Sequence, residues 1–458
     1  MVVMKNTLRG GEETARLLFP GAFLWFLGVG GVGMSSLARL ALSLGFSVAG
    51  EDRRTDVFFP DSGITVFPEG TKLPVGVSAV IYTAAISPDH PTVAEAERRG
   101  IPLISRSDFL AYLMRGSRAR VTVAGSHGKT TVTAMLDAIL MRAGRSPTTV
   151  SGGTLTGGGT FRDGARDVFL SEACEYTDSF LSLSPTHALL LNLELDHTDY
   201  FPDFAALSRS AARYLSAAET VIVPPSLSPL AGEGKVLTFS TEDAGATLSA
   251  RAVRQTPGGT AAELAYRGED AGKLTLPVPG LHNLSNALAA ILAAHALGVP
   301  FSFSAAALSD FALPDRRLTL RGIRGGALWY DDYAHHPSEI RASLSALRAV
   351  CRGRLTVAFQ SHTYSRTRAE LSGFASALRE ADRVLVLPIF PARETDDLGV
   401  SNEALARETG ETATAIPDFQ TAAKEMKKAA RPGDVMVVMG AGDVNEIFKY
   451  LGSSDGEA

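Results

Sequence analysis

A chain of 458 residues is too long for one core and predicts roughly three domains of about 150 residues each. With 45% hydrophobic and 20% charged residues the composition is that of ordinary globular protein, and the net charge of −5 leaves no polybasic footprint, which argues against nucleic acid as a main partner. The two cysteines, Cys174 and Cys351, are far apart and form no paired motif, in keeping with a reducing cytosol.

The apolar run from Leu17 to Phe46 invites a membrane or signal reading. Glycines at 28, 30, 31 and 33, with Arg39, interrupt it, and Glu12 and Glu13 spoil the basic flank of a signal peptide. A soluble, cytoplasmic protein with no membrane insertion is expected. Within that run Ala22 to Leu27 predicts a buried strand, followed by Gly28-Val29-Gly30-Gly31-Val32-Gly33-Met34-Ser35 and a helix through Leu44. The next strand, Phe46 to Ala49, ends in Glu51-Asp52, where a dinucleotide fold places its ribose-binding acid. Tight helix–strand packing alone also explains such glycines. Further elements at Ala79–Tyr82, Pro91–Arg99, Ile101–Ile104 and Ser107–Met114 complete a small doubly wound domain that ends near Arg115-Gly116-Ser117-Arg118.

The stretch that follows carries the clearest chemistry. Val121 to Ala124 predicts a strand, Gly125-Ser126-His127-Gly128 a loop, and Lys129-Thr130-Thr131 the start of a helix through Arg142. Such a loop turns backbone N–H groups and a lysine toward phosphates and places a hydroxyl for Mg²⁺, so ATP is the expected ligand. A standard P-loop wants glycine where Val123 stands; the compact Gly-x-x-Gly-Lys-Thr-Thr remains. After a loop from Ser151 to Thr160, strand Asp167–Leu170 runs into Ser171-Glu172-Ala173-Cys174-Glu175, and strand His187–Leu191 into Asn192-Leu193-Glu194-Leu195-Asp196-His197-Thr198-Asp199. Acids at strand exits collect ligands in α/β sheets, which makes Glu172 and His197 candidate Mg²⁺ ligands beside Thr130. A surface carboxylate, and a histidine that only hydrogen-bonds near the metal, are the plainer alternatives.

From Thr220 to Tyr266 the pattern is β-like, without recognisable chemistry. Pro279-Gly280-Leu281-His282-Asn283-Leu284-Ser285-Asn286 then precedes an Ala-rich helix, Ala287–Leu297; its amides and imidazole suit a base edge and phosphate oxygens, or cap the helix. After Phe311 to Pro314 the pattern restarts. Strand Leu328–Tyr330 gives Asp331-Asp332-Tyr333-Ala334-His335-His336-Pro337 and a helix Ser338–Val350. Strand Leu355–Phe359 gives Gln360-Ser361-His362-Thr363-Tyr364-Ser365-Arg366-Thr367 and a helix to Glu380. Strands Arg383–Leu387 and Val435–Met439 follow, the last ending in Gly440-Ala441-Gly442-Asp443. The paired His335-His336 invites a zinc reading, but zinc is not expected there, because adjacent side chains diverge and no third ligand stands at zinc spacing. The tail Ser453–Ala458 is expected to fray.

Nine segments in register resemble the Mur ligase family, ATP-dependent amide ligases of peptidoglycan precursor synthesis. They are Gly28–Ser35, Gly125–Thr131, Glu172–Phe180, Asn192–Asp199, Gly280–Asn286, Arg316-Arg317, Asp331–Pro337, Gln360–Thr367 and Gly440–Asp443. The resemblance implies an α/β protein of three domains: a Rossmann-like domain at 1–118 for the UDP-sugar, a central P-loop ATPase-like α/β domain at 119–314, and a Rossmann-like C-terminal domain at 315–458 that closes over ATP and brings the amino acid. Gly28, Gly30, Gly31, Val32, Gly33, Met34, Ser35 and Asp52 would then serve the UDP-sugar. Lys129 would hold the β/γ-phosphates, Thr130 with Glu172 the first Mg²⁺ and His197 the second. Asn283 and Asn286 would approach adenine, Asp332 the ribose, and Arg317 the phosphates, while His335 and Arg366 would receive L-alanine. The implied reaction joins L-alanine to the lactyl carboxylate of UDP-N-acetylmuramate through an acyl phosphate, with the enzyme a monomer or weak homodimer.

Several positions depart from common family patterns. Leu195 and Ser361 stand where proline is frequent, Thr363 where some relatives have arginine, and Glu51 where serine is frequent, which weakens the expectation of uridine contacts there. No lysine occurs from Thr131 to Gly234, so a carbamylated lysine cannot serve the second Mg²⁺ from that stretch; its absence agrees with the alanine-adding branch. Three other readings compete. A recycling ligase that attaches a preformed tripeptide to the same sugar lacks the arginine-containing segment His362–Thr367. An NAD-dependent dehydrogenase leaves Gly125–Thr131 unexplained, and a non-catalytic nucleotide-binding regulator leaves no reason for Lys129, Thr130, Glu172 and His197 together.

Overall fold

The structure, a computed structural model, describes residues 7–8, 10–54, 63–198, 200–256, 259–392, 394–395 and 398–452. Asp199 and the tail Ser453–Ala458 lie outside the described residues. Three β-sheets organise the chain, divided between two compact units: one runs to Arg251 and adds Glu263–Leu274 and Ser285–Leu308, the other comprises Ala252–Ala262, Thr275–Leu284 and Ser309 onward.

The first sheet lies in the first unit and is wholly parallel. Its strand order is Thr7–Leu8, Leu103–Ser105, Val77–Tyr82, Phe23–Leu27, Ser47–Asp52, Thr65–Pro68. Chain order reverses between Phe23–Leu27 and Val77–Tyr82, the kind of switch point where open α/β sheets leave a ligand crevice. The glycine-rich loop leaves Phe23–Leu27 at that point and opens the helix Val32–Ser43. Met34, Leu37, Ala38, Leu40 and Ala41 of this helix are buried, and Phe26 beneath it meets Phe109 edge to face at 5.7 Å.

The second sheet has ten strands, with Ala119–Ala124 held in parallel between Val168–Glu172 and His187–Leu190. Parallel register brings the C-terminal ends of these three strands to one edge, so the phosphate loop, Glu172 and Asn192 leave the sheet side by side. The helix Phe204–Ser216 covers the strand beneath that loop, an element not foreseen from the sequence although Asp203 caps it by accepting the N–H of Ala206 at 2.7 Å. Its Tyr214 stacks on Phe180 at 4.7 Å and donates its hydroxyl to the carbonyl of Thr122 at 3.2 Å. The β-like stretch from Thr220 onward forms the strands Thr220–Val223, Lys235–Ser240, Leu248–Thr256 and Gly259–Tyr266, with a short 3₁₀ segment, Pro225–Leu230, after the first. The two sheets of the first unit share one hydrophobic cluster, which includes Leu37, Phe109 and Phe180. The hydroxyls of Ser36 and Thr160 also meet at 2.8 Å, which explains why two predicted domains cluster as one compact unit.

The second unit carries a six-stranded sheet ordered Thr319–Arg324, Ala327–Asp332, Val435–Met439, Leu355–Phe359, Arg383–Val386, Ala413–Ala415. Only the first pair is antiparallel. The ends of the three central strands deliver Asp331–Pro337, Gln360–Thr367 and Gly440–Asp443 to one edge. Gly440 sits at φ 147°, where a Cβ would strike the carbonyl of Gln360, so the strand can leave the sheet there only as glycine.

Two sequence expectations need correction. The Ala-rich helix begins at Leu281, so Asn283 and Asn286 lie in its first turns, because Gly280 at φ 99° lets the chain turn straight into the helix. The helix expected to reach Glu380 is broken at Glu370 into Tyr364–Ala369 and Leu371–Leu378.

Behind the phosphate loop, Asp137 is fully buried. It accepts two bonds from Arg162, at 3.2 and 3.0 Å, and one from Thr149 at 2.7 Å, while Arg162 also donates to the carbonyl of Thr156 at 2.9 Å. Removing one partner of a buried pair strands the other charge at a cost of about 3–5 kcal/mol. Arg162→Ala should therefore lower the unfolding free energy of the first unit, read by urea denaturation, by that amount, and Arg162→Lys by less; an unchanged unfolding free energy would show that Asp137 is solvated without its partner.

Candidate active site

The glycine-rich loop of the first sheet is tied down by the strand beside it. The N–H groups of Gly28 and Val29 donate to the carbonyl of Glu51 at 2.8 and 3.1 Å, and that of Gly30 donates to the carboxylate of Asp52 at 2.8 Å. Gly50 is the close-approach position, since a Cβ there would lie 2.5 Å from the carbonyl of Phe26. No side chain caps the helix Val32–Ser43, which leaves the N-terminal amides of Val32, Gly33 and Met34 to meet an anion, while that of Ser35 donates to the carbonyl of Gly31 at 2.8 Å. Asp52 thus shapes the loop, with its other oxygen accepting the N–H of Arg54 at 3.0 Å. Glu51 turns into the protein, where its carboxylate accepts the Thr92 hydroxyl at 2.7 Å and burial pushes its pKa up.

In the phosphate loop, Gly125 and Gly128 take φ of 141° and 85°. A Cβ on Gly128 would lie 2.6 Å from Oδ1 of Asn286, so the loop's second glycine exists because the amide of Asn286 comes down on it. The side chain of Asn192 brackets His127, accepting its N–H at 2.8 Å and donating to its carbonyl at 3.1 Å. Ser126 exchanges bonds with the backbone of Glu194 at 3.1 and 2.9 Å. A loop pinned at two successive peptides meets a ligand without first paying to order itself. Thr130 and Thr131 begin the helix Lys129–Arg142, with Thr131 buried and Thr130 part-exposed.

Lys129 reaches back over the loop. Its ammonium donates to the carbonyls of Gly125 at 2.5 Å and Ser126 at 3.4 Å, and pairs with Glu175 at 3.2 Å. Burial by itself would lower the lysine pKa; Glu175, Cys174 and Glu172 outweigh it, and the net shift is upward. Burial would likewise raise Glu175, but Lys129 and then His197 hold its carboxyl below the ordinary range, so the pair is ionised. Glu172 accepts the N–H of Gly152 at 2.5 Å and the hydroxyl of Ser151 at 3.3 Å.

His197 sits at φ 56°, with its ring 4.6 Å from that of Tyr176 and its Nε2 3.6 Å from Glu175. The segment that delivers Glu175 is strained: Thr177 and Asp178 both lie in the left-handed region, at φ 54° and 58°. Asp178 compensates by accepting the hydroxyls of Tyr200, at 2.9 Å, and of Ser210.

A second cluster forms within the second unit. Arg317 lies 5.1 Å over the ring of Tyr333 and 3.9 Å from Glu339. Glu339 accepts the backbone N–H of His335 at 3.0 Å, and the ring Nδ1 of His335 lies 3.0 Å from the carbonyl of Tyr333. A carbonyl only accepts, which assigns the proton to Nδ1 and leaves Nε2 as the basic nitrogen. Burial lowers the pKa of His335 to about 4 and that of His282 to about 4. His362 stacks on Phe390 at 5.5 Å and lies 6.3 Å from His335; Arg366 is close enough to lower the pKa of both histidines. Asn283 donates to the carbonyl of Pro279 at 2.8 Å. His336 has its Nδ1 2.8 Å from the Ser338 hydroxyl.

Three residues of this geometry escaped sequence reasoning. Glu175 stands three positions after Glu172 in an acid-rich strand exit, Asn192 directly follows a strand, and Glu339 is the third residue of a helix that opens with proline, so each had a local signal.

The chain matches three family profiles in succession: the Mur ligase family catalytic domain over residues 24–118, the Mur ligase middle domain over 123–294, and the Mur ligase glutamate ligase domain over 316–442. UDP-N-acetylmuramate--L-alanine ligase of Lachnospira eligens is 38% identical over 444 residues, which is 93% of this chain and 97% of that protein. The ligase of the same name from Acetivibrio thermocellus is 36% identical over 95% of this chain and 97% of its own length. Among solved structures, UDP-N-acetylmuramate-alanine ligase from Thermotoga maritima superposes with a TM-score of 0.80 at 25% identity, over 93% of this chain and 97% of that one. A murein peptide ligase from Psychrobacter arcticus gives 0.68 at 25% identity, over 94% and 98%.

Asp332 provides a test of the second cluster. It accepts the N–H groups of Leu318 at 3.2 Å and Tyr333 at 3.0 Å and the hydroxyl of Ser343, and burial raises its pKa from 3.8 to about 6. Between those values the folded state holds a proton that the unfolded state releases, so this group's contribution falls as pH rises through about 4 to 6. Asp332→Asn keeps acceptor and donor in place without the charge. Its melting temperature should exceed wild type by a few degrees at pH 7.5, on a scale of about 2–4 °C per kcal/mol, and calorimetry should show the gap closing below pH 4.

Proposed function

This chain belongs to the Mur ligase family, and from that premise we propose that it is the ATP-dependent ligase that joins L-alanine to the lactyl carboxylate of UDP-N-acetylmuramate, releasing ADP and phosphate. The observation that carries the proposal is the likeness along nearly the whole chain to ligases of that activity, at 34–38% identity. The lower TM-score of the murein peptide ligase leaves the recycling reaction less favoured.

In this reading residues 1–118 hold the UDP-sugar, 119–314 the ATP, and 315–458 the amino acid. The amides opening the helix Val32–Ser43 receive the diphosphate, with Asp52 holding Gly30 in place. The amides of Gly125–Thr131 and the ammonium of Lys129 receive the β- and γ-phosphates, and Asn283 and Asn286 approach the adenine. Arg317 meets phosphate charge, stiffened by its stack on Tyr333, and Asp332 serves the ribose.

The lactyl carboxylate attacks the γ-phosphorus and ADP departs, which leaves an acyl phosphate in place of a carboxylate that no amine would attack. The amine of L-alanine then adds to the acyl carbon, phosphate departs, and the amine gives up a proton. Arg366 suits the carboxylate of the amino acid, and His335, with Nε2 unprotonated, is placed to orient the amine or take that proton. Positioning and charge neutralisation supply most of the acceleration in such phosphoryl transfers. Oxygen donors at Thr130 and Glu172 with the imidazole of His197 form a donor set that suits Mg²⁺, which when bound neutralises phosphate charge.

No helix among the described residues is long and apolar enough to cross a membrane. Purified protein with ATP, Mg²⁺ and UDP-N-acetylmuramate should release phosphate only when L-alanine is supplied. Equal or faster turnover with L-alanyl-γ-D-glutamyl-diaminopimelate would overturn the alanine assignment. Lys129→Ala should lower kcat by about 100-fold or more, while calorimetry shows UDP-sugar affinity unchanged.

A further inference from the structure

Glu175 is assigned to none of the ligands above, yet its carboxylate is shared between the two groups on which the nucleotide reading depends. Oε2 lies 3.2 Å from the ammonium of Lys129 and Oε1 lies 3.6 Å from Nε2 of His197. The position is held against local preference, since the chain directly after it takes two left-handed residues, Thr177 and Asp178. The anchor of that turn, Asp178, binds Tyr200, which meets the edge of Tyr176 at 6.3 Å, and Tyr176 in turn packs on His197. The strained turn thus fixes Glu175 and the His197 ring relative to each other.

Lys129 has three N–H donors, and in this structure they go to Gly125, Ser126 and Glu175. A phosphate can recruit the ammonium only by taking it from some of these acceptors. Glu175 is 8% exposed at its side chain, and a carboxylate so buried that loses its cation is destabilised unless another positive charge replaces it. Its Oε1 and the imidazole of His197, 3.6 Å apart, offer a divalent cation one carboxylate oxygen and one ring nitrogen.

We propose that Glu175 is a carboxylate ligand of the divalent cation bound beside His197, held on Lys129 while the site is empty and released to the metal when nucleotide phosphates recruit the lysine. This inference rests on the ATP reading of Gly125–Thr131 and adds to it a residue and a coupling. Nucleotide frees the carboxylate that the cation needs, and the cation compensates the carboxylate that the nucleotide strands. Each ligand therefore tightens the other by the same factor.

The coupling predicts a reversal of sign. Glu175→Gln retains size and a hydrogen-bonding group but no charge, so it releases Lys129 and removes an anionic ligand together. We expect the β,γ-methylene analogue of ATP without metal to bind Glu175→Gln at least threefold more tightly than wild type by calorimetry. With the analogue present, the affinity for Mn²⁺ read by electron paramagnetic resonance should fall at least tenfold. Glu175→Asp, which keeps the charge, should recover part of the Mn²⁺ affinity. UDP-N-acetylmuramate binding by each variant reports an intact fold. Nucleotide and Mn²⁺ affinities that both fall, or that both stay at wild-type values, would overturn the proposal while leaving the ATP reading in place. Wild-type protein that binds no nucleotide would overturn both.

Discussion

A buried ammonium ion is the constraint on which the first unit turns. Lys129 lies on the first turn of a helix whose preceding loop can offer it only two carbonyls, and desolvation works against its charge. The rest of the charge balance comes from Glu175, forty-six residues on, carried by a segment that accepts two left-handed residues to put it there. Backbone strain of about 1–3 kcal/mol per residue persists only where surroundings over-determine it. Here Asp178, Tyr200, Ser210 and the stacked pair Phe180–Tyr214 do so.

Parallel register explains why so many polar groups can meet in one place without spoiling a core. In the ten-stranded sheet, Ala124, Glu172 and Leu190 end adjacent strands, so the interior stays apolar while the exits carry the chemistry. Asn192 and Asn286 close the arrangement, one bracketing His127 and the other pressed against Gly128. The six-stranded sheet of the second unit repeats the logic. Asp332, Phe359 and Met439 end its central strands, and the N–H of Gly440 donates to the carbonyl of Asp332 at 3.0 Å.

In the second unit one acid stands among several bases. Glu339 lies close to Arg317, His335 and His282, and burial keeps both imidazoles neutral at physiological pH. Neutral imidazole can accept a proton from an amine, whereas the protonated form cannot. Glu339 also satisfies a backbone N–H just before its own helix, so one side chain serves both the fold and the charge pattern.

The sequence by itself determined the elements and the order of their chemistry. Strand, glycine loop and helix at Ala119–Arg142 follow from local periodicity and from the backbone freedom that Gly125 and Gly128 supply, and the order of motifs along the chain identified the family before any contact was known. What it left open were relations between residues far apart in the chain. Asp52 reads as a ribose-binding acid at its spacing but also ties Gly30; Glu51 reads as a loop residue but is buried against Thr92; Lys129 reads as a phosphate ligand but is paired with Glu175. Periodicity and motif spacing report which residue types recur along one stretch, and they carry no information on which distant side chain will compensate a buried charge. That partner is chosen when sheet register, a strained turn and a helix packed across the strand bring two stretches together, so only the tertiary structure could decide it.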